Sequence, residues 1–427
     1  MYRLLFLIVA FPFSLCAGES PLFRDFVGLC GHTVQFKPDL YAPVCRIVRD
    51  YHPVEWDLDK DTGVLPEWPL AKNRVSWEQV YGSWQKAGLR TCASLMIDNM
   101  QKSWKDMPKD AGAYAKAFAQ QFGPGGKYPL VEWVEIGNEP GLYDDAAYRT
   151  LFEAMAKGIR EGNPRMKILP CNTEMKSDRY WKGVHCLKGF DDLYDALQIH
   201  RYAIAEGWPV WRRSYPEDAK VPYLSAIQDL IHWRDANAKG KPVWVTEFGW
   251  DSSTKKPDPK GEWAKWIGST DEEQARWTVR SFFLFARIGV EKAFVYFFND
   301  NDEAKLHAAS GLTRNFQPKP AYHAVAWMLR SLADYRFSKV LRESMEEGYA
   351  YEFTPEKAGQ PVILAVWHPT KEGIEMKVGS GGRKVMRAER MPLSKEPAEA
   401  VKVNAAGAEL TFTGGEKPVL LWMEPAR

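Results

Sequence analysis

The chain has 427 residues, 45% of them hydrophobic and 26% charged, with a formal net charge of +2 at pH 7. These proportions exclude a disordered chain and fit one large domain plus a small one. The near-balance of charge, without a dense Lys/Arg run, excludes electrostatic binding to nucleic acid.

Residues Met1-Tyr2-Arg3 precede an apolar run from Leu4 to Leu15 and then Cys16-Ala17-Gly18. This order describes a secretory signal peptide over residues 1–17, too short to span a bilayer. The protein is therefore expected to be secreted or periplasmic. Five cysteines follow: Cys30, Cys45, Cys92, Cys171 and Cys186. An odd number leaves at least one thiol free. No CxxC pair supports a zinc or redox site.

From Phe26 onward, short β-rich runs alternate with amphipathic stretches. Strands are predicted at 26–30, 44–48, 90–97, 130–137, 167–171, 196–200, 242–246 and 292–298. Helices are predicted at 76–87, 111–122, 146–161, 223–238, 272–288 and 321–333. Eight strand–helix units predict an α/β fold, a (β/α)8 TIM barrel over residues 18–335. An open doubly wound sheet would want a Gly-rich phosphate turn after its first strand, and Gly28-Leu29-Cys30-Gly31-His32 is not one. Residues 336–427 read as short strands separated by turns, the pattern of an antiparallel β-sandwich. Two long aromatic loops, 203–221 and 250–270, follow strands six and seven, on the barrel face where function sits.

Strand four ends Asn138-Glu139-Pro140 and strand seven ends Thr246-Glu247-Phe248-Gly249-Trp250. Each puts a carboxylate just past an apolar run, at the barrel mouth. Cleaving a glycosidic bond needs such a pair: one carboxyl protonates the leaving oxygen while the other attacks or activates water. Two surface glutamates at strand ends are the plain alternative. The chain has no GxSxG, P-loop or HExxH motif, and its histidines lack metal-ligand spacing. Asp300, Asn301 and Asp302 show no EF-hand pattern and read as a solvated or sugar-bonding loop.

On these two motifs the chain resembles clan A of the glycoside hydrolases, the retaining (β/α)8 superfamily. The resemblance implies Glu139 as acid/base, Glu247 as nucleophile, and Asn138 as a partner of the sugar 2-hydroxyl. His200 and Tyr202 at the end of strand six resemble the clan's His-x-Tyr, whose tyrosine donates to the nucleophile. Arg49, after strand two, is expected to fix that nucleophile, with His52 and Trp56 lining the sugar pocket. The clan's strand-three histidine is replaced by Asp98-Asn99. Its strand-eight tryptophan is missing too, which leaves Phe298 or Trp250 as the platform.

The implied activity is hydrolysis of a β-linked oligo- or polysaccharide by double displacement, with no metal or organic cofactor. An endo-β-glucanase, β-1,3-specific, is the reading preferred; a β-xylosidase-like, agarase-like or galactanase-like hydrolase stays open. So do a transglycosylase, a non-catalytic carbohydrate-binding barrel and the oligomeric state. The loop tryptophans Trp208, Trp211, Trp263 and Trp266 either extend a cleft or anchor their loops. Trp367 and Trp422 are the aromatic candidates in the sandwich, for which a structural role is preferred.

Overall fold

The computed structural model describes residues 19–33, 35 and 37–425; the expected leader lies outside them. Eight parallel strands form a barrel: β1 (Val27–Gly31), β2 (Ile47–Pro53), β3 (Arg90–Met96), β4 (Trp133–Ile136), β5 (Lys167–Leu169), β6 (Leu197–His200), β7 (Val243–Phe248) and β8 (Lys292–Val295). Their neighbour order is β5-β4-β3-β2-β1-β8-β7-β6. Between β5 and β6 the ladder stops, and single bonds close the gap. Asp195 N donates to Ile168 O at 2.8 Å, and His200 N donates to Asn172 Oδ1 at 2.8 Å.

Six long helices pack outside: α1 (Trp77–Lys86), α2 (Met107–Phe122), α3 (Asp145–Gly162), α4 (Leu224–Asn237), α5 (Asp271–Ile288) and α6 (Pro320–Leu332). Their starts follow local chemistry. Asp144 caps α3 by accepting from Ala147 N, and Thr270 and Glu273 form a reciprocal capping box on α5. Crossovers β1–β2 and β5–β6 carry only one-turn helices, Pro38–Tyr41 and Val184–Leu187.

Alternation along each strand sorts side chains between two cores. Cys30, Ile47, Cys92, Leu169, Trp244 and Phe294 fill the barrel interior, while Leu29, Val48, Ala93 and Val245 face the helices. The ring centroids of Trp133 and Trp244 lie 4.3 Å apart and plug the barrel beneath its mouth. Gly28 makes room for that plug, since a Cβ there would meet the Phe294 ring at 2.5 Å. The five described cysteines are all buried and free. No described helix is long and apolar enough to cross a membrane.

The second strand begins three residues later than its prediction, because Val44 and Cys45 still belong to the turn that leaves Pro38–Tyr41. Arg49, Asp50, Tyr51 and His52 are therefore inside β2, not after it.

Beyond α6 come β9 (Tyr335–Ser344), β10 (Gly348–Pro355), β11 (Val362–Trp367), β12 (Ile374–Gly379), β13 (Val385–Arg390), β14 (Glu409–Gly414) and β15 (Val419–Met423). One sheet runs β9-β10-β11-β15-β13 and a smaller one pairs β12 with β14. Strand β11 is buried throughout, yet its faces differ. Val362, Leu364 and Val366 enter the sandwich core, while Ile363, Ala365 and Trp367 join the barrel's outer core. The sandwich is thus fused to the barrel through a sheet covered on both sides. At this seam Arg280 of α5 is fully buried, donating through Nε to Glu217 Oε1 at 2.8 Å and through Nη2 to Pro369 O at 3.0 Å. Trp367 Nε1 donates to the same Glu217 oxygen at 2.6 Å. Trp367 is fully buried, and the nearly buried Trp422 lies under the Arg387 guanidinium at 3.8 Å, so neither presents a platform to solvent.

Candidate active site

A pocket of about 480 Å³ opens at the C-terminal ends of the barrel strands, with Glu139 and Glu247 on its walls. Each glutamate arrives there by a departure from regular strand geometry. In β7, Trp244 points inward between Val243 and Val245, so strict alternation would send Glu247 outward. An irregularity in the pairing of β7 with β6, between Val245 and Glu247, re-aims it into the mouth. In β4, Trp133 and Glu135 point inward. Gly137 then takes φ +81°, which ends the strand and leaves Asn138 and Glu139 at the rim.

One oxygen of Glu139, one of Glu247 and a ring nitrogen of His200 all lie within 4.8 Å of one another. The two carboxylates are not equivalent. Glu247 has 7% of its side chain exposed, Glu139 30%. Glu247 Oε1 accepts from Tyr51 Oη at 2.6 Å and Arg49 Nη1 at 3.0 Å, and its Oε2 accepts from Tyr202 Oη at 2.8 Å. Burial alone would push its pKa up. The charges of His200 and Arg49 and the two tyrosine hydroxyls outweigh that and hold it at about 2, against an ordinary 4.5.

Arg49 is a hub. Its Nε and Nη2 grip Glu135 at 2.6 and 2.8 Å, and Nη2 also reaches Asn138 Oδ1 at 2.7 Å. Since a guanidinium only donates, the amide oxygen of Asn138 faces Arg49, and its NH2 is free to face the pocket. His200 stands between the two centres: its Nδ1 lies 2.9 Å from Glu139 Oε1 and its Nε2 lies 3.4 Å from Arg49 Nη2.

Asn138, Glu139, Tyr202 and Glu247 line the pocket, and Arg49 and His200 meet them from below and beside. Trp56 lines it too. Two residues expected there lie elsewhere. His52 is fully buried on the outer face of β2, between Asp57 (Nε2 to Oδ2, 2.7 Å) and Tyr81 (Nδ1 to Oη, 2.8 Å), and stacks on Trp77 with centroids 3.8 Å apart. If Arg49 points inward, alternation makes Tyr51, not His52, its inward companion. Trp250 is fully buried among Tyr223, Phe248 and Trp277, and its indole N–H donates to Ser214 O at 2.8 Å. Phe298 is likewise buried, in the core outside the barrel, against Tyr41 at 4.2 Å. Tyr296 of the strand-eight end lines the pocket instead.

In the loop 300–302 Asn301 is exposed, whereas Asp300 and Asp302 are buried and held by protein partners. Asp300 pairs with buried Lys319 at 3.1 Å, and Asp302 pairs with Arg314 and accepts from Ser253 Oγ and Thr254 N. Where the clan carries its strand-three histidine, Met96 lines the pocket and Asn99 donates to Glu55 at 2.6 Å.

Four further contributors had no assigned role: Tyr51, Glu135, His32 and His307. Alternation from Arg49 finds Tyr51, and an acidic residue inside an apolar strand flags Glu135. His32 and His307 sit in irregular backbone, where no periodicity marks them. Burial pushes both imidazoles down to about 4.

No family model matches the chain, and neither does any curated protein sequence. Solved structures do. A family 39 glycoside hydrolase from Bacteroides cellulosilyticus WH2 is 18% identical with a TM-score of 0.71, over 95% of this chain and 82% of that one. A glucosidase from Croceicoccus marinus is 12% identical with a TM-score of 0.64, over 96% and 98%. The bifunctional glucanase-xylanase CelM2, from a metagenome library, is 12% identical with a TM-score of 0.62, over 96% and 98%. At these identities the likeness establishes a shared fold, a (β/α)8 barrel continuing into a β-sandwich.

Proposed function

We propose that this protein is a retaining β-glycosidase of the clan A type, exported by the cell and acting on a β-linked polysaccharide. One observation carries the reading: two carboxylates at the barrel mouth, with oxygens inside 4.8 Å, one of them held anionic by three donors. A retaining mechanism wants its carboxyls about 5–5.5 Å apart, whereas an inverting one needs roughly 6.5–9.5 Å to admit a water. Similarity in fold to a family 39 glycoside hydrolase and to a glucanase-xylanase supports the assignment.

In the first step Glu247 attacks the anomeric carbon while Glu139 gives its proton to the departing glycosidic oxygen. The C–O bond to the leaving sugar breaks, and an ester to Glu247 forms. Esterification removes the anion that Tyr51, Tyr202 and Arg49 were holding. Glu139, now a carboxylate, takes a proton from water, whose oxygen attacks the same carbon and restores Glu247. The hydrogen bond between His200 Nδ1 and Glu139 Oε1 steadies Glu139 through both roles, and the free NH2 of Asn138 is placed to donate to the sugar beside the reacting carbon.

A β-glucan is the substrate preferred, β-1,3-linked first, with xylan next because the glucanase-xylanase shares the fold. The test is a panel of β-glucans, xylans and galactans, with anomeric configuration followed by proton NMR as product appears. Release of the β-anomer that mutarotates later supports double displacement; immediate release of the α-anomer refutes it. Glu247→Gln should abolish turnover, and a pure binding barrel would show none to abolish.

A further inference from the structure

We propose that the loops after β7 and β8 form a second sugar-binding site, seating pyranose rings of the same glycan chain beyond those in the catalytic pocket. The proposal rests on the glycosidase reading and deepens it, because it makes the substrate an extended oligo- or polysaccharide.

A groove of about 260 Å³ lies between segments 255–263 and 302–305, walled by Lys255, Lys256, Asp258, Trp263, Glu303 and Lys305. It neighbours the catalytic pocket directly. Lys305 lines the groove and His307, two residues on, lines the pocket. Two residues of chain span at most about 7 Å, so a single glycan can lie across both recesses.

The loop tryptophans divide by role. Trp266 is buried and packed so closely that a Cβ on Gly268 would meet its ring at 2.3 Å; it anchors the loop. Trp208 is 59% exposed and Trp263 partly so. These two come from different loops, yet their rings meet edge to face, 6.2 Å between centroids at 79°. An anchor would be buried as Trp266 is. A solvent-facing indole pair beside a recess, gathered from two loops, is a surface for a flat apolar partner that also carries polar groups, and a pyranose is one.

The polar rim fits the same partner. Among the described residues Lys255 and Lys256 form no ion pair, while Glu303 pairs with Lys305 and Asp258 accepts from Lys260 N through one oxygen, so the groove presents donors beside carboxylates that keep accepting capacity. The floor is rigid, because buried Asp302 accepts from Ser253 Oγ and Thr254 N and pairs with Arg314, tying one loop to the other. Mixed donors and acceptors around an aromatic ring, on a fixed floor, describe a sugar subsite.

The test compares Trp263→Ala, Trp208→Ala and Trp263→Phe with the native protein. Cellohexaose, laminarihexaose and xylohexaose are each titrated calorimetrically onto Glu247→Gln, with and without Trp263→Ala, so that binding is read without turnover. Affinity for the hexasaccharide that binds should fall about fivefold to tenfold with Trp263→Ala and recover in Trp263→Phe. In active protein, the ratio of kcat/KM on that hexasaccharide to kcat/KM on an aryl β-glycoside should fall by the same factor. Equal loss on both substrates, or unchanged affinity, overturns the proposal. So does the absence of hexasaccharide binding, and aryl glycoside cleavage in that case would leave the glycosidase reading standing. If aryl glycosides and hexasaccharides are all left intact, the glycosidase reading falls with it.

Discussion

Arg49 and Glu135 form a bidentate pair, Nε to Oε2 at 2.6 Å and Nη2 to Oε1 at 2.8 Å, with neither side chain exposed to solvent. The pair fixes the plane of the guanidinium and leaves Nη1 as the donor that meets Glu247. Two buried carboxylates therefore share one cation, and Glu135, which no substrate reaches, sets the position of Glu247.

Removing Glu135 should be costly in two ways. Glu135→Ala leaves Arg49 with one of its two carboxylate partners, and breaking a buried pair costs about 3–5 kcal/mol. Urea unfolding should show that loss. The exposed pair Lys157–Glu153 on α3 is the comparison: its removal should cost under about 0.5 kcal/mol. Should both substitutions cost the same, the hub described for Arg49 is wrong.

The tyrosine donors make a pH prediction. Glu247 is held at about 2 in the folded protein against an ordinary 4.5. A depressed carboxylate stabilises the fold fully above the unfolded value, and this contribution is lost as pH falls from about 4.5 through about 2. Attack needs the anion, so the acid limb of kcat/KM that belongs to Glu247 should lie near the lower figure. Tyr51→Phe and Tyr202→Phe each delete a hydrogen bond to a charged oxygen, worth about 1.5–3 kcal/mol. Each should lower kcat/KM by roughly tenfold to a hundredfold and move that limb upward. A limb that moves downward, or stays put, would contradict the assigned donors.

The parts legible in the sequence were those set by period and by short motifs. Eight apolar runs announced the barrel because each strand is buried on both faces, and Glu139 and Glu247 stood just past two of them. Tyr335–Ser344 was not picked out as a strand: it is an edge strand with a mostly exposed face, so charge interrupts its alternation. His52 was misplaced because the strand runs to Pro53 and not to residue 48, which turned a strand interior into a loop. Trp250 was misplaced because proximity to Glu247 in sequence says nothing about direction past the irregularity in β7. His32 and His307 lie in irregular segments whose course depends on the finished barrel.

The seam between barrel and sandwich should behave as structure and not as a hinge. The side chains of Arg280 and Glu217 are both fully buried; Glu217 also accepts from Trp367 Nε1, and Arg280 also donates to the Pro369 carbonyl. Arg280→Ala strands Glu217 and removes a cation from Glu416 as well, at a cost of about 3–5 kcal/mol. Differential scanning calorimetry should show one transition at a lower temperature. Two separated transitions in the native protein would mean that the sandwich folds apart from the barrel.

The charge of the pocket makes a statement about the sugar. Among the described residues no lysine or arginine lines it, and the two nearest guanidiniums are already engaged. Arg49 is taken by Glu135, Glu247 and Asn138, and Arg213 pairs with Asp251 at 2.8 Å and lies over the Tyr202 ring at 4.4 Å. His32 and His307, held near 4 by burial, are neutral at ordinary pH and offer hydrogen bonds without charge. A uronic acid would bring a carboxylate beside ionised Glu247 with nothing to balance it, and an unmatched like charge costs several kcal/mol. Whichever aryl β-glycoside is cleaved, its uronic counterpart should therefore react at least about a hundredfold more slowly in kcat/KM near neutral pH. Comparable rates on the glucoside and the glucuronide would show that a cation reaches the sugar, and the engaged state of Arg49 and Arg213 would have to be abandoned.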